Sequence, residues 1–477
     1  MSKVDTAWLR MEQATNLMMI TGVIVFDEAM DYERLLHTVQ QRFLSFRRFR
    51  QVAVDSPSGA YWALDEDFDL RSHVRRTALP GAADRRELEM LVAELASSPL
   101  DKARPLWQFH LVENYAGGPA LICRIHHCIA DGIALVQVFL SLTDERPEGR
   151  PAEQRPGAWA QRKAADAPVF QRLLEPAREG IDCVAHLGQI MIGEGQKLIE
   201  EPARAGRYAA EAAEIAWELG HCLALEDDPL TRLKGRLGVR KQVAWAEPLA
   251  LSDVKAVSKA FGCTVNDVLI TAVTGALRHY LVSVGEAPDQ LRDIRATVPV
   301  NLRPLEHAPE LGNHFGLVFL SLPLACDNPL QRLYLVNERM EALKASRQAA
   351  VTFGLLSALG MGPSVLQKPV LDLLSAKAST VLTNVPGPQH PLWLAGAHLK
   401  ELMFWVPQSG QIGLGISILS YDGQVFFGVI GDRRLVPEPA GIIERFHPEF
   451  EKLLYLGLML PLDGRPGSDQ ADWLVGQ

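Results

Sequence analysis

Pro119-Ala120-Leu121-Ile122-Cys123-Arg124-Ile125-His126-His127 is an apolar run closed by two adjacent histidines, and it leads straight into Cys128-Ile129-Ala130-Asp131-Gly132. Ala120 to Ile125 reads as a short strand and Ile133 to Leu142 as a buried helix. Side chains alternate across a strand, so His126 and His127 point to opposite sides if the strand reaches them, and one of the two faces any given cleft. Asp131 follows His127 by four residues across a tight turn and opens the helix with Gly132. An imidazole near its ordinary pKa takes the proton of an alcohol as the oxygen attacks, once its other ring nitrogen is held by a carbonyl or carboxylate. Structural readings stand beside this one. Asp131 fits the N-cap of the helix, and a histidine at a strand end is often structural. Two histidines with an aspartate also suggest a metal site, but no third ligand is evident nearby.

The chain has 477 residues, more than one hydrophobic core normally serves, so two domains are expected. With 48% apolar and 22% charged residues it has the balance of a folded globular protein. A net charge of −9 supplies no global basic field, which argues against a nucleic-acid partner. Met1-Ser2-Lys3-Val4-Asp5-Thr6 lacks the apolar run of a secretory signal. No run of 18 apolar residues occurs, so membrane-spanning helices are not expected, although contact with a membrane surface is compatible. The six cysteines form no C-x-x-C pair and read as buried free thiols of a reducing cytoplasm.

Outward from the histidines, residues 1–143 alternate strand-like and helix-like segments. Gly22 to Phe26 is a strand, and the spacing of Leu35, Leu36, Val39 and Phe43 predicts a helix over Tyr32 to Phe46. Arg86 to Ser97 is a further helix. Residues 144–239 read as a linker with connecting helices: Asp144 to Pro168 is rich in Arg, Glu, Pro and Ala, and a weakly amphipathic helical stretch follows from Val169 to Leu225. Residues 240–477 form a second lobe. It opens with a strand near Val243-Ala244-Trp245, then helices Leu251 to Phe261 and Val265 to Leu281. Strands are expected at Ile294 to Val300, Leu317 to Leu322, Ser379 to Thr383, Ile412 to Tyr421 and Gln424 to Ile430, the last two joined by the hairpin turn Asp422-Gly423. Two mixed α/β lobes leave a cleft between them.

His126 to Gly132 resembles the HHxxxDG signature of the CoA-dependent acyltransferases, which include chloramphenicol acetyltransferase, plant BAHD enzymes and peptide-synthetase condensation domains. Four further stretches resemble the bacterial wax ester synthase/acyl-CoA:diacylglycerol acyltransferase family. They are Pro105-Leu106-Trp107, Thr264-Val265-Asn266-Asp267-Val268, Val298-Pro299-Val300-Asn301-Leu302-Arg303 and Thr383-Asn384-Val385-Pro386-Gly387-Pro388, with Ser420-Tyr421-Asp422-Gly423 following in order. The likeness runs along nearly the whole chain. One departure is Asn16-Leu17-Met18-Met19, where the family often has Pro-Met-His.

The resemblance implies an α/β fold of the α+β type, with two chloramphenicol-acetyltransferase-like lobes, mixed sheets and a channel between them. It implies transfer of a long-chain acyl group from acyl-CoA to a fatty alcohol or to diacylglycerol, with acyl-CoA a substrate and no cofactor. His127 is then the general base, with His126, Asp131 and Asn266 in the same catalytic set. Asp131 orients the site and pairs with Arg303, and Gly132 is structural. Thr264 and Asp267 also fit a capping box, which explains Asp267 structurally, while Asn266 at the same helix start donates toward the thioester oxygen. Pro105, Trp107, Phe353, Leu356 and Gly360 are candidates for a substrate channel, although core packing is the stronger reading of Trp107. Arg42, Arg47, Arg48 and Arg50, interleaved with Phe43, Phe46 and Phe49, suit either anionic lipid and CoA phosphates or a solvated face. The expected location is cytoplasmic, peripheral to the inner membrane or to lipid inclusions. Rival functions are acyl transfer to another hydroxyl or to an amine, and lipid binding without catalysis.

Overall fold

The computed structural model describes residues 1–56, 59–149, 217, 220, 224–302, 311–361, 371–408 and 410–460. The first half holds helix α1 (Lys3–Met11), strand β1 (Met19–Phe26), helix α2 (Tyr32–Thr38), the hairpin β2 (Gln51–Val54) and β3 (Tyr61–Leu64), and the short helix α3 (Leu70–His73). There follow β4 (Val74–Thr77), helix α4 (Arg85–Ala96), β5 (Trp107–Val112), β6 (Ala120–His126), helix α5 (Gly132–Leu142) and β7 (Thr143–Asp144). The second half holds β8 (Lys241–Trp245), β9 (Leu249–Ala250), helices α6 (Leu251–Phe261) and α7 (Val265–Ser283), β10 (Ile294–Asn301) and β11 (Phe315–Leu322). Helices α8 (Pro329–Lys344) and α9 (Gln348–Met361), strands β12 (Thr380–Pro386), β13 (Trp393–Leu394), β14 (Ala397–Trp405), β15 (Leu414–Tyr421) and β16 (Gln424–Asp432), and helix α10 (Ala440–Leu458) complete it.

These strands make two large mixed sheets. One runs β4-β5-β6-β1-β14-β13-β7, with β4 and β5 parallel and the other neighbours antiparallel. The other runs β11-β10-β12-β15-β16-β8, with β9 also on β16, and is parallel where β12 meets β10 and β15. Each sheet has its own apolar core, one built mainly on residues 4–142 and the other mainly on residues 233–453. Two α+β lobes are therefore present, as the sequence implies.

Lobe and chain order part at one place. Thr143–Asp144 and Ala397–Trp405 both lie in the first sheet, so the segment expected to start a linker pairs as a strand, and a stretch of the expected second lobe docks on β1. Backbone pairing decides this: β1 pairs with β6 on one side only, and β14 satisfies the N–H and C=O groups on its other edge. Most of residues 144–239, including the helical stretch expected from Val169 to Leu225, lies outside the described residues.

Locally the elements follow their sequences. Helix α7 begins with the expected capping box, Asp267 N–H donating to Thr264 Oγ1 at 3.2 Å and Thr264 N–H to Asp267 Oδ2 at 2.8 Å. It is apolar all round because it is buried among other helices, α10 packing along it. The helix expected over Tyr32 to Phe46 is α2 continued by a wider π turn, Val39–Phe43, and its four apolar residues are buried as their spacing predicts. Asp422 and Gly423 both have positive φ (45° and 72°), the geometry of a two-residue hairpin turn. No single described helix is long and apolar enough to cross a membrane.

Candidate active site

His127 leaves the end of β6 and is 4% exposed. Its backbone N–H donates to Met18 O at 2.7 Å, which ties the turn to β1. The ring stacks on Trp8 of α1, centroids 4.1 Å apart and planes 16° from parallel, with Phe315 of β11 at 5.5 Å. Its Nδ1 lies 2.8 Å from Asn313 Oδ1. The orientation of Asn313 is fixed independently, since its Nδ2 donates to Asp5 Oδ1 at 2.8 Å and to His127 O at 2.9 Å, and its backbone N–H to Asp5 Oδ1 at 3.1 Å. The amide oxygen therefore faces the ring, and an amide oxygen only accepts. Nδ1 carries the proton and Nε2 holds the lone pair. Asp5, fully buried, is held in turn by Arg48 at 3.4 Å, and Arg48 also donates to Ile129 O at 2.8 Å. Burial pushes the His127 imidazolium down to about 4, against the opposing pull of the Asp131 charge, so the ring is neutral near pH 7. A neutral imidazole with a directed lone pair is a general base.

The other expected residues divide. His126 is buried on a different set of neighbours: Cys128 N–H donates to its Nδ1 at 3.1 Å, and its Nε2 lies 3.6 Å from Glu12. That separation of the two rings follows from strand alternation. Asp131 caps α5 through Ala134 N–H at 2.8 Å and accepts from His314 N–H at 2.9 Å, so its carboxylate ties the histidine turn to the segment that carries Asn313. The group that orients His127 is Asn313. Arg303, expected to pair with Asp131, lies outside the described residues. Asp267 is wholly buried and, besides capping α7, accepts from Asn337 Nδ2 at 2.9 Å.

Asn266 accepts from Asn384 Nδ2 at 2.7 Å, so the first turn of α7 meets the Asn-Val-Pro-Gly-Pro segment that ends β12. Both line a cavity against the second sheet with Val298, Pro299, Leu382 and Lys344, about 820 Å³ of open space with its mouth included.

A second cavity, about 920 Å³ counted the same way, lies between the first sheet and α5. Ile20, Gly22 and Ile24 of β1, Cys123 and Ile125 of β6, Phe109 of β5 and Leu402 and Phe404 of β14 face it. Leu135, Val136 and Phe139 of α5 and Gly387-Pro388 close it, and no charged side chain lines it among the described residues. His127 follows the last residue of β6 and is not among the residues that line either cavity.

Of the expected channel residues, neither Pro105 nor Trp107 lines either cavity. Trp107 is 1% exposed, donates from Nε1 to Phe49 O at 2.8 Å and packs edge-on against Phe43 and Phe109, so it is core. Phe353 is half-buried beside His314 and lines neither cavity; the side chains of Leu356 and Gly360 lie outside the described set. Two of the four clustered arginines are used internally, Arg48 on Asp5 and Arg42 on Asp144 at 3.0 Å. Sequence reading missed Asp5, Trp8 and Asn313. A signal existed for the first two, an acid and an aromatic three apart on the buried side of an amphipathic helix. Asn313 had none, because it meets His127 from 186 residues away.

Residues 1–269 match the wax ester synthase/diacylglycerol acyltransferase catalytic domain, and residues 311–454 match the C-terminal domain of the same family. A probable diacylglycerol O-acyltransferase of Mycobacterium tuberculosis is 29% identical over 462 residues, 93% of each chain. A second from that organism is 31% identical over 386 residues, 79% of each. Among solved structures, the wax ester synthase/diacylglycerol acyltransferase of Marinobacter aquaeolei superimposes with a TM-score of 0.65 at 23% identity, covering 95% of this chain and 98% of that one. The first condensation domain of the CDA synthetase shares the fold at a TM-score of 0.58 and 16% identity, covering 98% and 97%. With its two sheets, its histidine turn and both domain matches in register, the chain belongs to the wax ester synthase/diacylglycerol acyltransferase family.

Proposed function

We propose that the protein transfers a long-chain acyl group from acyl-CoA to the hydroxyl of a fatty alcohol or of diacylglycerol, with His127 as general base. The observation that carries the reading is the fixed lone pair on Nε2 of a buried, neutral His127, whose Nδ1 is held by Asn313. Nε2 takes the hydroxyl proton as the oxygen attacks the thioester carbon. The C–O bond forms, a tetrahedral oxyanion results, and the C–S bond breaks. The departing thiolate takes the proton from the imidazolium, leaving an ester and free coenzyme A. Because burial disfavours the imidazolium, that proton is passed on rather than stored. Asn266, at the start of α7, is the candidate donor to the oxyanion.

The charge-free cavity beside α5 suits the alkyl chain of one substrate, and the cavity of Asn266 and Asn384 suits the other. Exposed Tyr455, Leu458 and Met459 near the end of α10 support peripheral contact with a membrane or lipid inclusion in the cytoplasm.

The test is release of free thiol from hexadecanoyl-CoA by purified protein with and without hexadecanol. Release that requires the alcohol, with the ester as product, is expected. His127→Ala is expected to lower it by about 10²–10⁴-fold. An undiminished rate in a folded variant overturns the assignment, and thiol release without alcohol makes the protein a thioesterase.

A further inference from the structure

Asp5 and Trp8 stand three residues apart on α1 and meet the same imidazole in different ways. Asp5 acts at the edge of the His127 ring through Asn313. Trp8 covers a face of it, centroids 4.1 Å apart and planes 16° from parallel. Phe315 stands beside both rings, 5.7 Å from the indole and 5.5 Å from the imidazole. Trp8 and His127 are both buried, so water is kept from the contact. Trp8 Nε1 has no hydrogen-bond partner among the described residues, although a buried indole N–H ordinarily finds an acceptor. The indole is placed for its face and not for its N–H.

General-base catalysis makes the imidazole a cation for a moment. The charge arrives with the hydroxyl proton on Nε2 and leaves when the departing thiolate takes that proton. Burial opposes the charged form. Among the charged groups around the ring, Asp131 favours it and His126 opposes it. Asp5 stands behind Asn313 with Arg48, and Glu12, paired with Lys102 at 2.9 Å, faces His126. The face of an aromatic ring attracts a cation within about 6 Å of its centroid, tryptophan most strongly, and the attraction is greater where water is excluded. It grows as the imidazole gains charge, so it is stronger in the transition state than in the resting enzyme, and that difference lowers a barrier. A carboxylate in the same place would hold the imidazolium as an ion pair and keep the proton, whereas a ring face has no lone pair to take it.

We propose that Trp8 is a positioning residue that acts through His127, its indole face stabilising the imidazolium while the ring carries the substrate's proton. The inference rests on the reading of His127 as general base.

The test replaces Trp8 alone by mono-, di- and trifluorotryptophan, introduced at codon 8 by stop-codon suppression in the full chain. Fluorine withdraws charge from the ring face and changes its size little, so packing is kept. The kcat for transfer from hexadecanoyl-CoA to hexadecanol is expected to fall stepwise with each fluorine, about tenfold over the series, with KM for both substrates little changed. The His127 resonance of protein labelled with ¹⁵N-histidine, identified by its loss in His127→Ala, is expected to titrate further below about 4 as fluorines are added. A merely structural role moves that titration the other way, because a loosened site admits water and returns the ring towards its ordinary 6.5. A rate independent of fluorination overturns the proposal. So does a rate that rises with it, since fluorine strengthens the N–H as a donor and the N–H would then be the working part. If the unsubstituted protein transfers no acyl group, the functional reading fails separately and the titration alone decides the contact: a downward shift along the series supports it, and no shift or an upward one overturns it.

Discussion

His127 is set by partners from two other parts of the chain, Asp5 in the first helix and Asn313 just before β11. Removing the amide oxygen of Asn313 leaves Nδ1–H unpaired in a buried site, a cost of about 1–3 kcal/mol, and frees the ring to take the other tautomer. Asn313→Ala is therefore expected to lower kcat about ten- to a hundredfold with KM little changed, read by steady-state thiol release. The pH profile reports the same ring. Its folded value is about 4 against an ordinary 6.5, so protonation of Nε2 is delayed to acid. The expected kcat/KM stays level from pH 8 down through 6.5 and falls only as pH approaches about 4. A fall centred near 6.5 would place the working base in a solvated setting instead. The sign for stability is the same: the unfolded chain takes the proton first, so this group's contribution is complete above 6.5 and is lost as pH falls towards about 4.

At the start of helix α7, Asp267 caps the first turn and also holds Asn337 of α8, all within the second lobe. Asp267→Ala is expected to cost about 1–2 kcal/mol in urea unfolding through the lost cap, with added loss from the stranded Asn337 amide. Elements of this kind were legible because their signals are local: the Thr264–Asp267 box, the 3.6-residue spacing of Leu35 to Phe43, the Asp422-Gly423 turn. Two things were not. The π turn at Val39–Phe43 changes hydrogen-bond pattern without changing which residues are apolar. Strand β14 carries Lys400 and Glu401 at its centre, breaking the alternation that marks a half-buried strand, and its partner β1 lies far away in sequence. The same distance hid Asn313, whereas His127 and Asp131 stood in one short segment. Trp107 shows the converse: a motif residue quoted for a channel is core, because its indole N–H found a carbonyl, its face stacks on His73, and Phe43, Phe49 and Phe109 meet it edge-on.

Across the whole molecule the lobes are not beads on a string. Asp131 and His127 reach residues 313–314, Asn266 reaches Asn384, and β14 returns to pair with β1. The site is assembled from segments that no short piece of the chain contains, so composition could indicate two lobes without showing which strands each would own. That return strand has a temporal meaning. Residue 397 leaves the ribosome 271 residues after residue 126, the end of β6. At about 5–20 residues per second, the interval is about 15–50 s. Throughout it, one edge of β1 has no partner, and a growing polypeptide exposes an adhesive border to its neighbours. Cells making this protein in quantity are expected to need a chaperone on the nascent chain until that border is sealed.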